Sequence, residues 1–186
     1  MKLKKANAVL ALVSFLLMFV HMGYSVFAYL TMYYNPTLKN VFAVPFMVAV
    51  CLHAVLGMLA VFTQGDGTRM DLYPGQNRRT VLQRVSAALI FPLLILHINT
   101  FSLMQGCAER GQTVFILLLI AAEILFFAVF VIHAAVSLSR AFITLGWLTS
   151  RRAQKRIDRA ACIVCAAAFA AVVYAVVRGQ AIMFLS

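Results

Sequence analysis

Apolar residues in this chain fall into five long runs separated by short polar segments. The runs cover approximately residues 8–34, 41–63, 85–106, 113–140 and 160–177. A helix rises about 1.5 Å per residue, so about twenty residues cross the hydrocarbon core of a bilayer. The pattern therefore predicts an all-α membrane protein, a single transmembrane domain of five helices over residues 1–186.

The polar segments between the runs predict where the helices end. Asn35-Pro36 should end the first helix, because proline disfavours helical geometry in the residue before it. Gln64–Arg84 is expected to be a polar loop, and Arg151–Arg159 a basic connector. Pro92 lies inside the third run and should kink that helix.

Composition supports a lipid environment. The chain is 64% hydrophobic and only 11% charged, whereas an ordinary soluble domain is about half apolar and about a quarter charged. The net charge of +11 does not indicate nucleic-acid binding, because the basic residues lie between apolar runs and form no solvated patch.

Basic residues are distributed unequally between the two sides of a five-helix topology. Thirteen Lys and Arg residues fall on the side of the N-terminus and three, Lys39, Arg110 and Arg178, on the other. By the positive-inside rule the N-terminus is predicted to be cytoplasmic and the C-terminus external.

Two local motifs have competing interpretations. The basic start MKLKK and the small-residue pattern Val26-Phe27-Ala28 resemble a signal peptide, but the apolar run continues past Ala28, which favours a retained helix. Cys162 and Cys165 form a CxxC inside a predicted membrane helix, where small apolar packing residues are expected and not a redox or zinc site.

The four histidines carry the functional hypothesis. His21, His53, His97 and His133 each lie in a different one of the first four runs, and no loop contains a histidine. Histidine inside a membrane usually faces a partner or a cavity, and a single one could simply hydrogen-bond to a neighbouring helix. Four in succession favour metal or haem-iron ligation, for which neutral imidazole is a common ligand.

Depth separates the histidines into two pairs. His21 and His97 lie about 20 Å from the cytoplasmic ends of their runs, His53 about 17 Å and His133 about 10 Å. Two pairs at two depths could hold two flat metal-bearing rings. Small residues one turn away would leave room for such rings: Ser25, Gly57 and Ser137.

The chain resembles the single-chain, five-helix, two-haem cytochrome b membrane anchors of succinate dehydrogenase and quinol:fumarate reductase. The resemblance covers nearly the whole chain: its length, its five spans and one histidine in each of the first four. The segment Gln83-Arg84-Val85-Ser86-Ala87, with His97 eleven residues after Ser86, looks like the family's Arg-x-Ser-Gly start of a haem-binding helix. Ala87 stands where glycine is frequent.

The resemblance implies two haem b groups held by the first four helices. His21 with His97 would ligate the outer haem, and His53 with His133 the inner one. It also implies flavoprotein and iron–sulfur partner subunits on the cytoplasmic side, and a bacterial inner membrane. The chain would be a non-catalytic electron-transfer subunit using quinone, with menaquinone expected over ubiquinone.

Further residues are candidates for contacts around these groups. Arg140, at the cytoplasmic edge, could pair with a haem propionate or act as a snorkelling anchor. Arg84 and Ser86 are candidates for propionate contacts or, with Trp147, for a cytoplasmic-side quinone site. An outer quinone site would use polar residues near His97 and on the first helix: Tyr24, Tyr29, Asn99, Thr100 and Ser102.

Glu123 is the only carboxylate inside a predicted span. It is a candidate for transferring protons to or from quinone, or for a hydrogen bond between helices. The first rival function is an anchor cytochrome b of another quinone-linked reductase, although such anchors concentrate their histidines in fewer helices. The second is a haem-free membrane transporter or assembly factor.

Overall fold

Five helices account for nearly all of the chain in a computed structural model that describes residues 2–64 and 74–185. They are α1 (Lys2–Thr31), α2 (Pro36–Gln64), α3 (Pro74–Glu109), α4 (Thr113–Leu145) and α5 (Arg151–Phe184). Each is long and apolar enough to cross a membrane, and the described residues form no strand. The predicted all-α architecture is confirmed, with five helices that are long and apolar enough to span a membrane.

The helices extend beyond the apolar runs, which corrects two of the predicted connectors. Residues 74–84 form the first turns of α3, and Arg151–Arg159 the first turns of α5. Polar residues continue a helix readily, and the Ser150 side chain caps α5 by accepting the Ala153 N–H at 3.1 Å. The remainder of the predicted loop, residues 65–73, lies outside the described residues.

The turn between α1 and α2 follows the Asn35-Pro36 prediction. The Asn35 side chain accepts the backbone N–H groups of Thr37 at 3.0 Å and Leu38 at 3.1 Å, which caps α2 with Pro36 in its first position. The Tyr24 hydroxyl donates to the Asn35 carbonyl at 2.8 Å. These contacts fix the angle at which the chain enters α2.

Two helices form the centre of the bundle. α1 and α4 pack against each other, α2 packs on α1, α3 packs on α4, and α5 packs on both α1 and α4. Gly179 of α5 lies against the Tyr29 ring of α1, where an added methyl group would overlap it. The bundle thus includes α5 and is not confined to the first four helices.

Pro45 and Pro92 lie within α2 and α3, and both helices continue through them. α4 ends two residues before Trp147. Gly146 takes a left-handed φ of 82°, and the N–H groups of Gly146 and Trp147 bond back to the last turn of α4. The turn leads directly into α5.

Most basic residues lie at one end of the bundle, called here the basic end, where α1, α3 and α5 begin and α2 and α4 finish. Arg79 of α3 joins three helices there. Its guanidinium forms two bonds with the Asp158 carboxylate of α5, at 2.7 and 2.8 Å. It also donates to the Val136 carbonyl at 2.8 Å and to the Ser139 hydroxyl of α4 at 2.9 Å.

Replacing Arg79 by alanine should lower the thermal stability of the protein in detergent. The change leaves the Asp158 carboxylate and the fully buried Ser139 hydroxyl without this donor, for an expected loss of about 2 kcal/mol. Arg78→Ala is the matched control, because the Arg78 side chain, next to Arg79 in sequence, is exposed. Equal unfolding temperatures for the two variants would show that the Arg79 contacts add no net stability.

Candidate functional site

Two of the four membrane histidines lie side by side near the basic end. The imidazole rings of His53 on α2 and His133 on α4 have centroids 6.5 Å apart, with their planes at 61°. The two residues are eighty positions apart in sequence, and the packing of α2 and α4 around α1 brings them together. These are the histidines that the depth estimate groups as the shallower pair.

Each of these two imidazoles is bonded through Nδ1 to a neutral group on another helix. The Nδ1 atom of His53 lies 3.3 Å from the Asn7 carbonyl of α1. The Nδ1 atom of His133 lies 3.0 Å from the Gln83 carbonyl and 3.1 Å from the Ser86 hydroxyl of α3. A carbonyl only accepts, so the network assigns the ring proton to Nδ1 and leaves Nε2 as a lone-pair donor. Metal-ligating histidines commonly have this arrangement.

Arg140 lies beside His133 and shares a partner with it. Its guanidinium donates to the Gln83 side-chain carbonyl at 2.9 Å and to the Thr80 hydroxyl at 2.6 Å. Arg84 lies within electrostatic range of Arg140. Ser86 is almost fully buried. The candidate contacts Arg140, Arg84 and Ser86 thus gather around the His133 end of the histidine pair.

His97 on α3 is bonded to Glu123 on α4. Its Nδ1 atom lies 2.9 Å and 3.1 Å from the two carboxylate oxygens, and Glu123 is only 4% exposed. The His97 ring also stacks on Phe126, with centroids 4.7 Å apart and planes at 21°. One carboxylate and one phenyl ring therefore define the orientation of this imidazole.

His21 on α1 is partly buried; its Nδ1 atom is buried and has no hydrogen-bond partner among the described residues. Its ring stacks on Phe46 of α2 at 5.6 Å, and it lies within electrostatic range of His97. Phe46 contacts Phe130, which contacts Phe126. Three phenylalanine rings thus connect His21 to His97. An unpartnered imidazole nitrogen in an apolar surrounding is costly unless another group binds it.

The polar residues predicted for an outer quinone site are mostly engaged elsewhere. The Tyr24 hydroxyl is bonded to Asn35 in the turn between α1 and α2. Asn99 donates to the Ile95 carbonyl and Thr100 to the Leu96 carbonyl of their own helix, at 2.7 and 2.9 Å. An apolar groove of about 340 Å³ lies further along α3 and α4 towards the end opposite the basic end. Its lining is Leu96, Leu103, Cys107, Phe115, Leu118, Leu119 and Ala122.

Small residues beside the histidines have different surroundings. Gly57 faces the Asn7 side chain, whose amide nitrogen would lie 3.7 Å from an added methyl group. Ser25 donates to the His21 carbonyl within α1 at 2.9 Å. The Ser137 hydroxyl, one turn after His133, is buried without a partner among the described residues. Of these three small residues, Ser137 alone has a buried polar side-chain atom without a partner among the described residues.

The sequence did not reveal the partners of the imidazoles. Backbone carbonyls of Asn7 and Gln83 carry no sequence signal, since every residue has one. Glu123 was recognised as an unusual membrane carboxylate, but its pairing with His97 follows only from the packing of α3 on α4. No group of three or more His, Cys, Asp or Glu side chains converges among the described residues. A haem iron needs only two imidazoles, so that finding leaves the haem prediction untested.

Comparison of the chain with protein-family models, with curated proteins and with solved structures finds no match.

Replacing His97 by leucine should leave the Glu123 carboxylate buried without its partner. The free energy of unfolding should fall by about 3 kcal/mol. Replacing both residues by leucine removes the unpaired charge. The double variant should therefore be more stable than His97→Leu alone, by at least about 1 kcal/mol. Thermal unfolding of the wild type, both single variants and the double variant measures this coupling. If the losses of stability in the two single variants sum to the loss in the double variant, the side chains act independently and the pair has no energetic role.

Proposed function

We propose that this chain is a two-haem cytochrome b membrane anchor. It transfers electrons between membrane quinone and the flavoprotein and iron–sulfur subunits of a succinate dehydrogenase or fumarate reductase. The observation that carries the proposal is the His53–His133 pair. Two imidazoles from different helices lie at axial-ligand spacing, each with Nδ1 bonded to another helix.

The spacing of this pair fits a single iron atom between two imidazoles. With a metal–nitrogen distance of about 2 Å on each side, the two ring centroids would lie about 6 Å apart. The observed separation of His53 and His133 is 6.5 Å. Because Nδ1 of both rings is hydrogen-bonded, Nε2 would be the ligating atom, which is the usual division of roles in a ligating histidine.

The second pair, His21 and His97, supports a second haem by a different observation. The buried Nδ1 atom of His21 lacks a partner among the described residues, and His97 is held by Glu123. Phenylalanine side chains contact both rings, and such apolar surfaces suit a porphyrin. We assign this pair to the outer haem and His53 with His133 to the inner one.

Haem b, when bound, supplies a one-electron iron couple within the membrane. Two imidazole ligands would leave the iron no position for oxygen, which suits electron transfer and not oxygen binding. Arg140 and Arg84 would neutralise propionate charge near His133. Ser86 would keep its contact with the His133 ring and hold that ligand in place.

The membrane orientation proposed from the charge distribution places the basic end on the cytoplasmic side of a bacterial inner membrane. Partner subunits would dock there. Arg79 is engaged with Asp158, Val136 and Ser139, so it is not proposed as a docking residue. The proposed docking surface is Arg78 with the exposed basic face of α5, formed by Arg152, Lys155, Arg156 and Arg159.

A second candidate function is a haem-free membrane transporter or assembly factor. The buried His97–Glu123 contact favours it, because His and Glu inside a membrane are the groups from which proton relays are built. In that alternative the membrane histidines, including the His53–His133 pair, would bind protons or metal ions. Haem content distinguishes the two functions directly.

The first experiment is a haem-to-protein ratio by pyridine haemochrome, with a reduced-minus-oxidised spectrum, on protein expressed with ample haem. We expect about two b-type haems per chain. His53→Ala and His133→Ala should each reduce the ratio to about one, since each removes an axial ligand of the same iron. Cys162→Ala, at an exposed position of α5, a helix without histidine, is the control and should retain both.

The result separates the candidate functions. A ratio near one in the wild type would make one histidine pair structural. Absence of haem would exclude the cytochrome function and favour the transporter or assembly factor.

Charge reversal on the exposed basic face should release the partner subunits. Arg152→Glu together with Arg156→Glu is expected to abolish co-purification of the flavoprotein and iron–sulfur subunits from native membranes, because it opposes an acidic docking partner. Haem content should be unchanged. Arg110→Glu, at the opposite end of the bundle, is the control. An intact complex in the double variant would exclude this docking surface.

A further inference from the structure

The four imidazoles differ in the charge of the group bonded to Nδ1. His53 and His133 have neutral oxygens as partners, and the Nδ1 atom of His21 has none among the described residues. Within the part of the chain that the structure describes, only His97 has a carboxylate partner, with both oxygens of Glu123 within 3.1 Å. His97 therefore differs from the other three histidines in having a charged hydrogen-bond partner.

We propose that Glu123 is a positioning residue for His97, acting through the imidazole and not by carrying protons to quinone. Its carboxylate holds the proton on Nδ1, keeps the Nε2 lone pair available, and makes His97 a stronger electron donor than the other three histidines. The inference rests on the proposed function, because the donor strength of an imidazole matters only when it ligates iron.

The local geometry limits what else Glu123 can do. The side chain is 5% exposed, so it has almost no access to the lipid-facing surface where a quinone arrives. Both of its oxygens lie against the same nitrogen. The His97 ring is fixed from a second side by stacking on Phe126. A carboxylate held in this way orients a ligand and raises its basicity.

A stronger donor favours the oxidised iron. The carboxylate should lower the reduction potential of the haem held by His21 and His97, since second-shell hydrogen bonding is one of the means by which proteins tune haem iron. The haem held by His53 and His133 has neutral partners at both ligands and should not depend on Glu123.

The test is an equilibrium redox titration of both haems in the purified protein, with electron paramagnetic resonance spectra of the oxidised form. Glu123→Gln keeps the size and a hydrogen-bond acceptor but removes the charge. We expect it to raise the midpoint potential of one haem and leave the other unchanged. Glu123→Leu also removes the acceptor, so the same haem should shift further, with an altered low-spin spectrum, or be lost.

Glu109→Gln is the matched control. It makes the same chemical change at an exposed position at the far end of α3, where water screens the charge, and both potentials should stay at their wild-type values. Because Glu123→Gln preserves volume, it remains informative if Glu123→Leu fails to fold.

Two results would overturn the inference while leaving the two-haem proposal intact. One is a pair of unchanged potentials in Glu123→Gln with both haems retained. The other is an equal shift of both potentials, which would indicate a general field effect and no specific action through His97. A wild-type protein without haem would instead overturn the proposed function itself.

Discussion

Polar groups within a bilayer must find their partners inside the protein, because the hydrocarbon offers none. In this chain the constraint bears chiefly on the histidines. Asn7, Gln83, Ser86 and Glu123 supply oxygens to three imidazoles, and each of these contacts joins two helices. The packing of α1 on α2 and of α3 on α4 therefore also supplies these imidazoles with their hydrogen-bond partners. Only His21 keeps a buried nitrogen without a partner among the described residues.

The five helices were predictable because hydrophobic length is a property of local sequence. The residues at which the helices begin and end were less predictable. The first turns of α3 and α5 are polar, and hydropathy assigns such residues to connectors although the backbone is helical there. The Asn35-Pro36 turn was predictable, since both its cap and its proline act on adjacent residues.

The partners in the candidate site could not be read from the sequence to the same degree. The pairing of His53 with His133 followed from depth along each helix, which depends only on counting residues. The Glu123 carboxylate was visible as an isolated acid, but whether it faced lipid, a cavity or His97 depends on the rotation of α3 against α4. Hydropathy contains no information on that rotation when a helix is apolar on every side. The contact of Arg79 with Asp158 was not predicted for a different reason, because Asp158 lies in a helical turn of α5 that the sequence assigned to a connector.

The contact between Arg79 and Asp158 joins residues 79 positions apart. During synthesis α3 is made before α5, so the Arg79 guanidinium is present before its carboxylate partner. Until Asp158 is made, the only members of this cluster that can accept from Arg79 are the Val136 carbonyl and the Ser139 hydroxyl of α4. A chain that stops before residue 158 would lack the contact between α3 and α5.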